Sequence, residues 1–321
     1  MIKKPRLTLV IPTYNRSSQL RELLTSIERQ GHRDEFKVLI CDNHSDYDIT
    51  HSFLEGFDRN FVDIISIKRW PFNTGMSTNI SIPFLFVDTE WCWIIGDDDT
   101  ITDGAIEIIL KQIHEFPRAL AIKNSLKNFI KHKDLIVSSI DSFIEYYSNK
   151  KLAGEMMYLS MVYNMKELRP YMSKVTEYSY SHLSFLIPIL FGLKNGSNMV
   201  FSSFEAIRYR SLASDNWASV RALPTVLGIR TILDVDFGLN DKTAKRLYRL
   251  LTRGIKIGFC LRALLTIPSN YRRRQIWKNL MPMIKMSNPW YNILVCWLVL
   301  SIYNILGINL LSIIIRIKSK L

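Results

Sequence analysis

The chain has no two cysteines close together in sequence. Its four, Cys41, Cys92, Cys260 and Cys296, lie far apart and form no CxxC pair. That argues against a disulfide framework or a structural zinc site, and for a reducing compartment. No GxGxxG follows the first apolar run, so a dinucleotide-dependent oxidoreductase is a weak reading. The run Leu7 to Ile11, behind Lys3, Lys4 and Arg6, is too short for a signal peptide. Acids are nearly missing from one end: between Leu239 and Leu321 only Asp241 stands against fifteen Lys and Arg. The formal net charge of +13 is therefore held by the C-terminal part, and the rest is close to neutral. A basic appendage binds an anionic surface, either nucleic acid or lipid head groups. Here the bases sit beside a long apolar run and not in an aromatic-studded sheet, which favours an anionic membrane surface over nucleic acid.

What is present is a large apolar fraction, 48%, in a chain of 321 residues, enough for one large or two modest domains. Leu7 to Ile11 reads as a strand stopped by Pro12. A helix capped by Ser17 or Ser18 follows, with Leu20, Leu23, Leu24 and Ile27 on one face and Gln30-Gly31 at its end. Phe36 to Cys41 reads as a second strand and Asn60 to Lys68 as a third. Asn73 to Met76 turns into a helix running through Asn79 to Val87. A fourth strand, Trp91 to Ile95, runs into Gly96 and three consecutive carboxylates, Asp97, Asp98 and Asp99. Strand and helix alternating at these intervals predict βαβ units and a parallel sheet.

Polar residues collect where these strands end. Thr13, Tyr14 and Asn15 follow the first strand and Asp42 the second; Asn73 and Gly75 follow the third, and the acids the fourth. Strand exits of a parallel sheet share one edge, where ligands of open α/β sheets bind. Three adjacent carboxylates repel one another and are comfortable in water or around a cation. Oxygen ligands alone favour Mg²⁺ or Mn²⁺. An exposed acidic turn opening a helix at Thr100 to Asp103 reads the same way, and Asp42-Asn43 and Asn73-Thr74-Gly75 are also ordinary turn chemistry.

Taken together, Ile11-Pro12-Thr13-Tyr14-Asn15-Arg16, Asp42-Asn43-x-Ser45-x-x-Asp48, Asn73-x-Gly75-x-x-x-Asn79 and Gly96-Asp97-Asp98-Asp99 resemble the motif series of family 2 glycosyltransferases. The nearest branch is that of bacterial O-antigen and capsule enzymes, abequosyltransferase-like proteins among them. The resemblance covers roughly residues 5 to 115. It implies a GT-A fold, a mostly parallel Rossmann-like sheet flanked by helices. It also implies a nucleotide-sugar donor, Mg²⁺ or Mn²⁺, and inversion at the anomeric carbon. Pro12, Thr13, Tyr14 and Arg16 would line the base and ribose pocket, and Asp42 would hold the base or ribose. Asn73, Gly75 and Asn79 would shape the loop beside the diphosphate. Asp97, Asp98 and Asp99 would form the DXD-type motif, with Asp99 the direct metal ligand and Asp97 near the ribose or the metal. Many relatives carry Ala-Arg-Asn where this chain has Ser77-Thr78-Asn79. Lys68 or Arg69 would then replace that arginine at the diphosphate.

An acceptor hydroxyl attacking the donor sugar needs a general base. Lys123 to Asn149 reads as irregular or short elements, and Met156 to Tyr163 and Asn198 to Ser203 as returning strands. Between them Val175 to His182 leads into an apolar helix, Leu183 to Leu193. The resemblance places an acidic base at such a helix start, so Glu177 and His182 are the candidates. A dipole-favoured helix acid and a half-buried structural histidine are the ordinary alternatives. Asp215 and Trp217 are expected on a loop near the acceptor. From Leu223 onward the pattern turns helical, and Trp290 to Ile315 runs 26 residues without a charge. That is long enough to span a bilayer. Positive charge on both flanks, and Ser301, Asn304, Asn309 and Ser312 on one side, favour a helix lying along the interface; a core helix is the remaining alternative. The expected organisation is a GT-A domain over 1–222, with a nucleotide-sugar half 1–115 and an acceptor half 116–222. A membrane-associating helical region over 223–321 follows. The function so implied is transfer of a sugar to a lipid-linked saccharide acceptor at the cytoplasmic face of the inner membrane. A scaffold that binds nucleotide without catalysis is the rival.

Overall fold

The computed structural model describes residues 4–50, 52–127, 129–148, 160–181, 183–210, 231, 232 and 234–252, together with 277, 281, 294, 298 and 301. By contacts the chain forms two compact units. The first comprises 1–143, 157–180 and 184–211; the second comprises 144–156, 181–183 and 212–321.

In the first unit, β1 (Leu7–Thr13) pairs in parallel with β2 (Phe36–Asp42) on one side and with β4 (Trp91–Ile94) on the other. β3 (Ile65–Arg69) extends the parallel run beyond β2. Apolar side chains point to both faces of β1, which leaves no exposed face and marks a central strand. Helix α1 (Ser17–Glu28) makes the first crossover and buries Leu20, Leu23, Leu24 and Ile27 completely. Each such side chain contributes about 1.5–3 kcal/mol of transfer free energy. No serine side chain caps α1. Arg16 is the N-cap residue, and its carbonyl takes the first helical bond, from Leu20 N–H at 2.9 Å.

The third strand is shorter than its apolar pattern suggests. Asp58 accepts from Phe61 N–H at 3.2 Å and opens a helical turn, α2 (Arg59–Val62), so β3 starts only at Ile65. Side-chain capping outweighs β-propensity here. The expected helix from Asn79 divides into α3 (Met76–Ser81) and a 3₁₀ turn, Ile82–Phe86, with Pro83 near its start. After β4 come β5 (Thr100–Ile101) and α4 (Ala105–Glu115).

Beyond β4 the sheet turns mixed, in the order β3-β2-β1-β4-β8-β6-β9-β5, with β7 on the side of β9. β6 (Ala119–Lys127), β7 (Leu135–Val137), helix α5 (Ile140–Tyr147), β8 (Met161–Asn164) and β9 (Asn198–Arg208) build this half. β8 runs antiparallel to both β4 and β6, which seals the two halves into one sheet. The expected irregular stretch from Lys123 is in fact the middle of β6. Its polar residues are buried and answered in part: Asn124 Oδ1 accepts from Gln112 at 2.9 Å and Ser125 Oγ donates to Ser202 O at 3.0 Å, while Asn124 Nδ2 has no hydrogen-bond partner. Helices α6 (Met165–Leu168), α7 (Met172–Glu177) and α8 (Leu186–Lys194) follow β8. In the second unit, α9 (Asp241–Thr252) buries Leu247, Leu250 and Leu251. Most of 290–315 lies outside the described residues. Among them, no helix is long and apolar enough to cross a membrane.

Candidate active site

The parallel register sets the strand exits side by side. Thr13 lies opposite Asp42, and Asp42 opposite Arg69. Ile95 N–H still bonds to Val10 O, so β4 stays in register until Gly96 releases the chain. Everything that follows hangs from this edge.

Two turns are locked by their own polar side chains. Asn15, at φ 54°, exchanges hydrogen bonds with Asp46 through its amide, and its N–H donates to Ser45 Oγ. The left-handed backbone suits asparagine. Asn43 and Asn73 join the exits of β2 and β3: Asn43 Nδ2 donates to Asn73 Oδ1 at 2.8 Å, and Asn43 Oδ1 accepts from Thr74 N–H. Asn73 Oδ1 also accepts from Gly75 N–H. Asn79, on α3, reaches back with its amide to the carbonyls of Thr13 and Cys41. Tyr14 is exposed at the rim.

Asp42 is wholly buried, and both of its oxygens are engaged. Oδ1 accepts from Ser45 N–H at 2.9 Å, and Oδ2 is paired with Arg69 Nη1 at 2.7 Å. Arg69 also bonds to the carbonyls of Ser45 and Tyr47 and pairs with Asp48. The sequence suggested Arg69 for the diphosphate; the structure gives its guanidinium to the loop Asp42–Asp48. Lys68 stands instead over the Phe86 ring, 5.2 Å from its centroid. Removing one partner from a buried pair leaves a charge without compensation. Arg69→Met is therefore expected to destabilise the fold by about 3 kcal/mol in urea unfolding, and Asp42→Asn in that background should recover part of the loss. An unchanged midpoint for Arg69→Met would show that the pair does not hold the loop.

The acidic motif is not the exposed turn expected of it. Asp97 is 5% and Asp99 1% exposed; Thr13 and Arg16 engage Asp97, and Arg210, just past β9, bonds to Asp99. Asp97 accepts from Thr13 Oγ1 at 2.8 Å, and Arg16 Nη1 bridges Asp97 at 3.0 Å and Asp98 at 2.6 Å. Burial pushes the Asp97 carboxyl up to about 6, with Arg16 opposing and Asp98 adding to the rise. Burial also pushes Asp99 up to about 7, against a backbone bond from Arg210 N–H. Asp99 Oδ2 is buried and has no hydrogen-bond partner. Such an atom is costly unless something answers it.

Among the described residues no three carboxylate, histidine or cysteine side chains converge as a ready metal cage. An ion of the Mg²⁺ class is held by one or two carboxylates together with substrate phosphates. Asp99 would supply the protein's share, beside Asp97, whose two oxygens Thr13 and Arg16 engage.

Glu177 lies at the carboxyl end of α7. Its side chain is 49% exposed and pairs with Lys174 Nζ at 2.7 Å, which holds its carboxyl below the usual range. His182, Asp215 and Trp217 lie outside the described residues. Ser184, two residues past His182 in the chain, bonds to Ser81 of α3 at 2.6 Å, both side chains buried. The supporting residues Asn43, Ser45, Tyr47, Arg69 and Arg210 were not foreseen in these roles. Asn43 and Ser45 stand within the quoted motif, which was their only signal.

Comparison with known proteins agrees with this construction. Residues 8–179 match the family described as glycosyl transferase family 2. Over 104 residues the chain is 31% identical to the abequosyltransferase RfbV of Salmonella typhimurium, covering 32% of this chain and 31% of that one. It is 23% identical over 111 residues to the GalNAc(5)-diNAcBac-PP-undecaprenol beta-1,3-glucosyltransferase of Campylobacter jejuni, covering 35% of each. The aligned part is thus about a third of each curated relative's length. Among solved structures, S. aureus TarS 1-349 in complex with UDP-GlcNAc superposes with a TM-score of 0.55 at 14% identity, covering 87% of this chain and 90% of that one. The mannosyltransferase PcManGT of Pyrobaculum calidifontis, in complex with GDP-Man and Mn²⁺, gives 0.51 at 12% identity, covering 94% and 87%. These likenesses are of fold, and the fold is GT-A, as the motif series implied. On the match over more than half its length, the chain belongs to glycosyl transferase family 2.

Proposed function

We propose that the chain is an inverting glycosyltransferase that moves a sugar from a nucleotide-sugar donor to a lipid-linked saccharide in the building of a surface polysaccharide such as O-antigen or capsule. One observation carries the reading: Thr13, Arg16, the Asp42 loop, Asn79 and the three acids meet at one sheet edge, with a buried Asp99 oxygen that no described residue answers. A bound Mg²⁺ or Mn²⁺ would stabilise the charge that grows on the leaving diphosphate. The chain's own part is placement. The turns at Asn15 and Asn73, Pro12 and Tyr14 frame the donor, and the Asp42 loop, fixed by Arg69, offers its backbone to the base or ribose. His182 is proposed as the base that takes the acceptor's proton. The pairing of Glu177 with Lys174 disfavours the alternative, since an exposed carboxylate of lowered pKa is a weak base.

The relative whose name carries a PP-undecaprenol acceptor supports a lipid-linked acceptor. A screen of nucleotide sugars with Mn²⁺ and a polyprenyl-diphosphate-linked sugar, read by mass, tests the reading. Binding of a donor without turnover of any would identify the non-catalytic scaffold instead.

The GT-A domain is proposed to extend over 1–222, divided at residue 115 into donor and acceptor halves. The 223–321 region is proposed to attach the protein, peripherally or monotopically, to the cytoplasmic face of the inner membrane. The fifteen bases after Leu239 and an apolar stretch provide the two signals that stable attachment requires. Leu294 and Leu298, helical and one turn apart, are each about half exposed, as an apolar face turned to lipid would be. In flotation with anionic liposomes at high salt, the full chain is expected to stay bound and a truncation before Pro289 to dissociate. A truncation that floats as firmly as the full chain would make 290–315 a core helix.

A further inference from the structure

The three acids of the motif are not partnered alike. Arg16 Nη1 lies 3.0 Å from Asp97 Oδ1 and 2.6 Å from Asp98 Oδ2, and Thr13 Oγ1 takes the other Asp97 oxygen. Asp99 receives only the neutral backbone N–H of Arg210 on Oδ1, while its buried Oδ2 has no hydrogen-bond partner. The Arg210 side chain is turned to Glu22. One guanidinium thus pairs with two of the acids, while the third has no ion pair among the described residues and feels the Arg210 charge only at longer range.

We propose that Arg16 is a positioning residue that makes divalent-metal binding at Asp99 depend on the nucleotide. It holds Asp97 and Asp98 in its own ion pairs, so that a bare ion meets the one carboxylate Arg16 leaves unpaired, next to two acids whose charge the guanidinium already offsets.

The physical argument has two parts. A hard dication keeps its water unless several oxygens replace it, and one protein carboxylate is a poor exchange. Like charges repel strongly where water is excluded, and Arg16 has a side-chain exposure of 22% against 7% for Asp97. A diphosphate changes both conditions, since its oxygens complete the coordination and its negative charge offsets the guanidinium. Metal and nucleotide then tighten each other by the same factor, as linkage requires. Asp97 and Asp98 act indirectly in this arrangement: they hold the arginine where it screens the site. The proposal rests on the nucleotide-sugar reading of the site and adds to it an obligatory coupling.

The test titrates Mn²⁺ into the full-length chain and follows free Mn²⁺ by electron paramagnetic resonance, alone and with UDP or GDP, corrected for Mn²⁺–nucleotide complexes in solution. For wild type, one of the nucleotides should tighten Mn²⁺ by about 100-fold. Arg16→Gln should bind bare Mn²⁺ about tenfold tighter, with the nucleotide effect falling by the same factor. Arg16→Lys keeps the charge and should stay with wild type, which a purely structural role for the side chain does not predict. Circular dichroism checks that the variants fold. The proposal is overturned if wild type binds bare Mn²⁺ as tightly as it does with nucleotide, a result that needs no variant. It is equally overturned if folded Arg16→Gln gains nothing while its Mn²⁺–nucleotide binding persists; in both cases the glycosyltransferase reading stands. Wild type that takes up no Mn²⁺ with either nucleotide would remove this proposal and the metal-dependent reading together.

Discussion

Asp99→Asn is expected to lower turnover by about 10³-fold and to leave the melting temperature unchanged or raised. The two halves of this expectation have separate causes. In catalysis, Asp99 is the acid whose Oδ2 no protein group answers, and a neutral amide there cannot hold a cation against a leaving diphosphate. In folding, the carboxylate is 1% exposed and its single hydrogen bond comes from Arg210 N–H, which an amide oxygen accepts as well. A neutral side chain relieves the desolvation of a buried charge and its repulsion by Asp97 and Asp98. Steady-state rates with saturating donor and Mn²⁺, and a melt in EDTA, measure the two. Full activity in the variant, or of wild type in excess EDTA, would count against the metal role. A melting temperature that falls by several degrees would make Asp99 a structural acid first.

The second large effect concerns the base. His182→Asn is expected to cut kcat by about 10²-fold or more with donor binding nearly unchanged, and Glu177→Gln to leave kcat within a factor of about two. Donor binding is assembled from strand exits earlier in the chain, so loss of a proton acceptor should appear in kcat alone. The contrast between the variants matters more than either number. Glu177 is paired with Lys174 in water, and removing such a surface pair changes little. If Glu177→Gln is the damaging change, the base assignment reverses. If neither variant slows the reaction, Asp215 and Glu155 are the next to test.

Much of the donor edge was legible because its strands are buried on both faces. Leu7 to Ile11, Phe36 to Cys41 and Trp91 to Ile95 are near-continuous apolar runs, and each stops at a proline, an acid or a glycine that marks the exit. Spacing alone then placed Thr13, Asp42 and the acids on one edge. Partnerships across long separations were not legible. Nothing local says that Arg16 will face residues more than eighty positions away, or that Arg69 will prefer Asp42 and two carbonyls to a phosphate. Asp99 takes its hydrogen bond from Arg210, over a hundred residues later, and so its burial could not be read from the motif. Local errors came from competing signals. Asp58 is a helix cap inside what looks like the approach to a strand, and Lys123-Asn124-Ser125 interrupt the apolar pattern of β6 with polar groups answered from α4 and β9.

The late arrival of β9 has a consequence for how the enzyme is made. A ribosome delivers the chain from its N-terminus, and β1, β2, β3 and β4 can pair once about the first hundred residues have emerged. Asp99 cannot be fixed then. β5 pairs only with Ile207 and Arg208 of β9, and the carboxylate takes its bond from Arg210. Contacts of such sequence separation form slowly, because a long loop must close before they yield anything. The nascent protein therefore passes through an interval in which the strand-exit edge exists but Asp99 lacks its Arg210 bond. A nonsense or frameshift lesion before that point leaves a fragment that retains the strands of the donor edge and lacks the anchor of its key carboxylate.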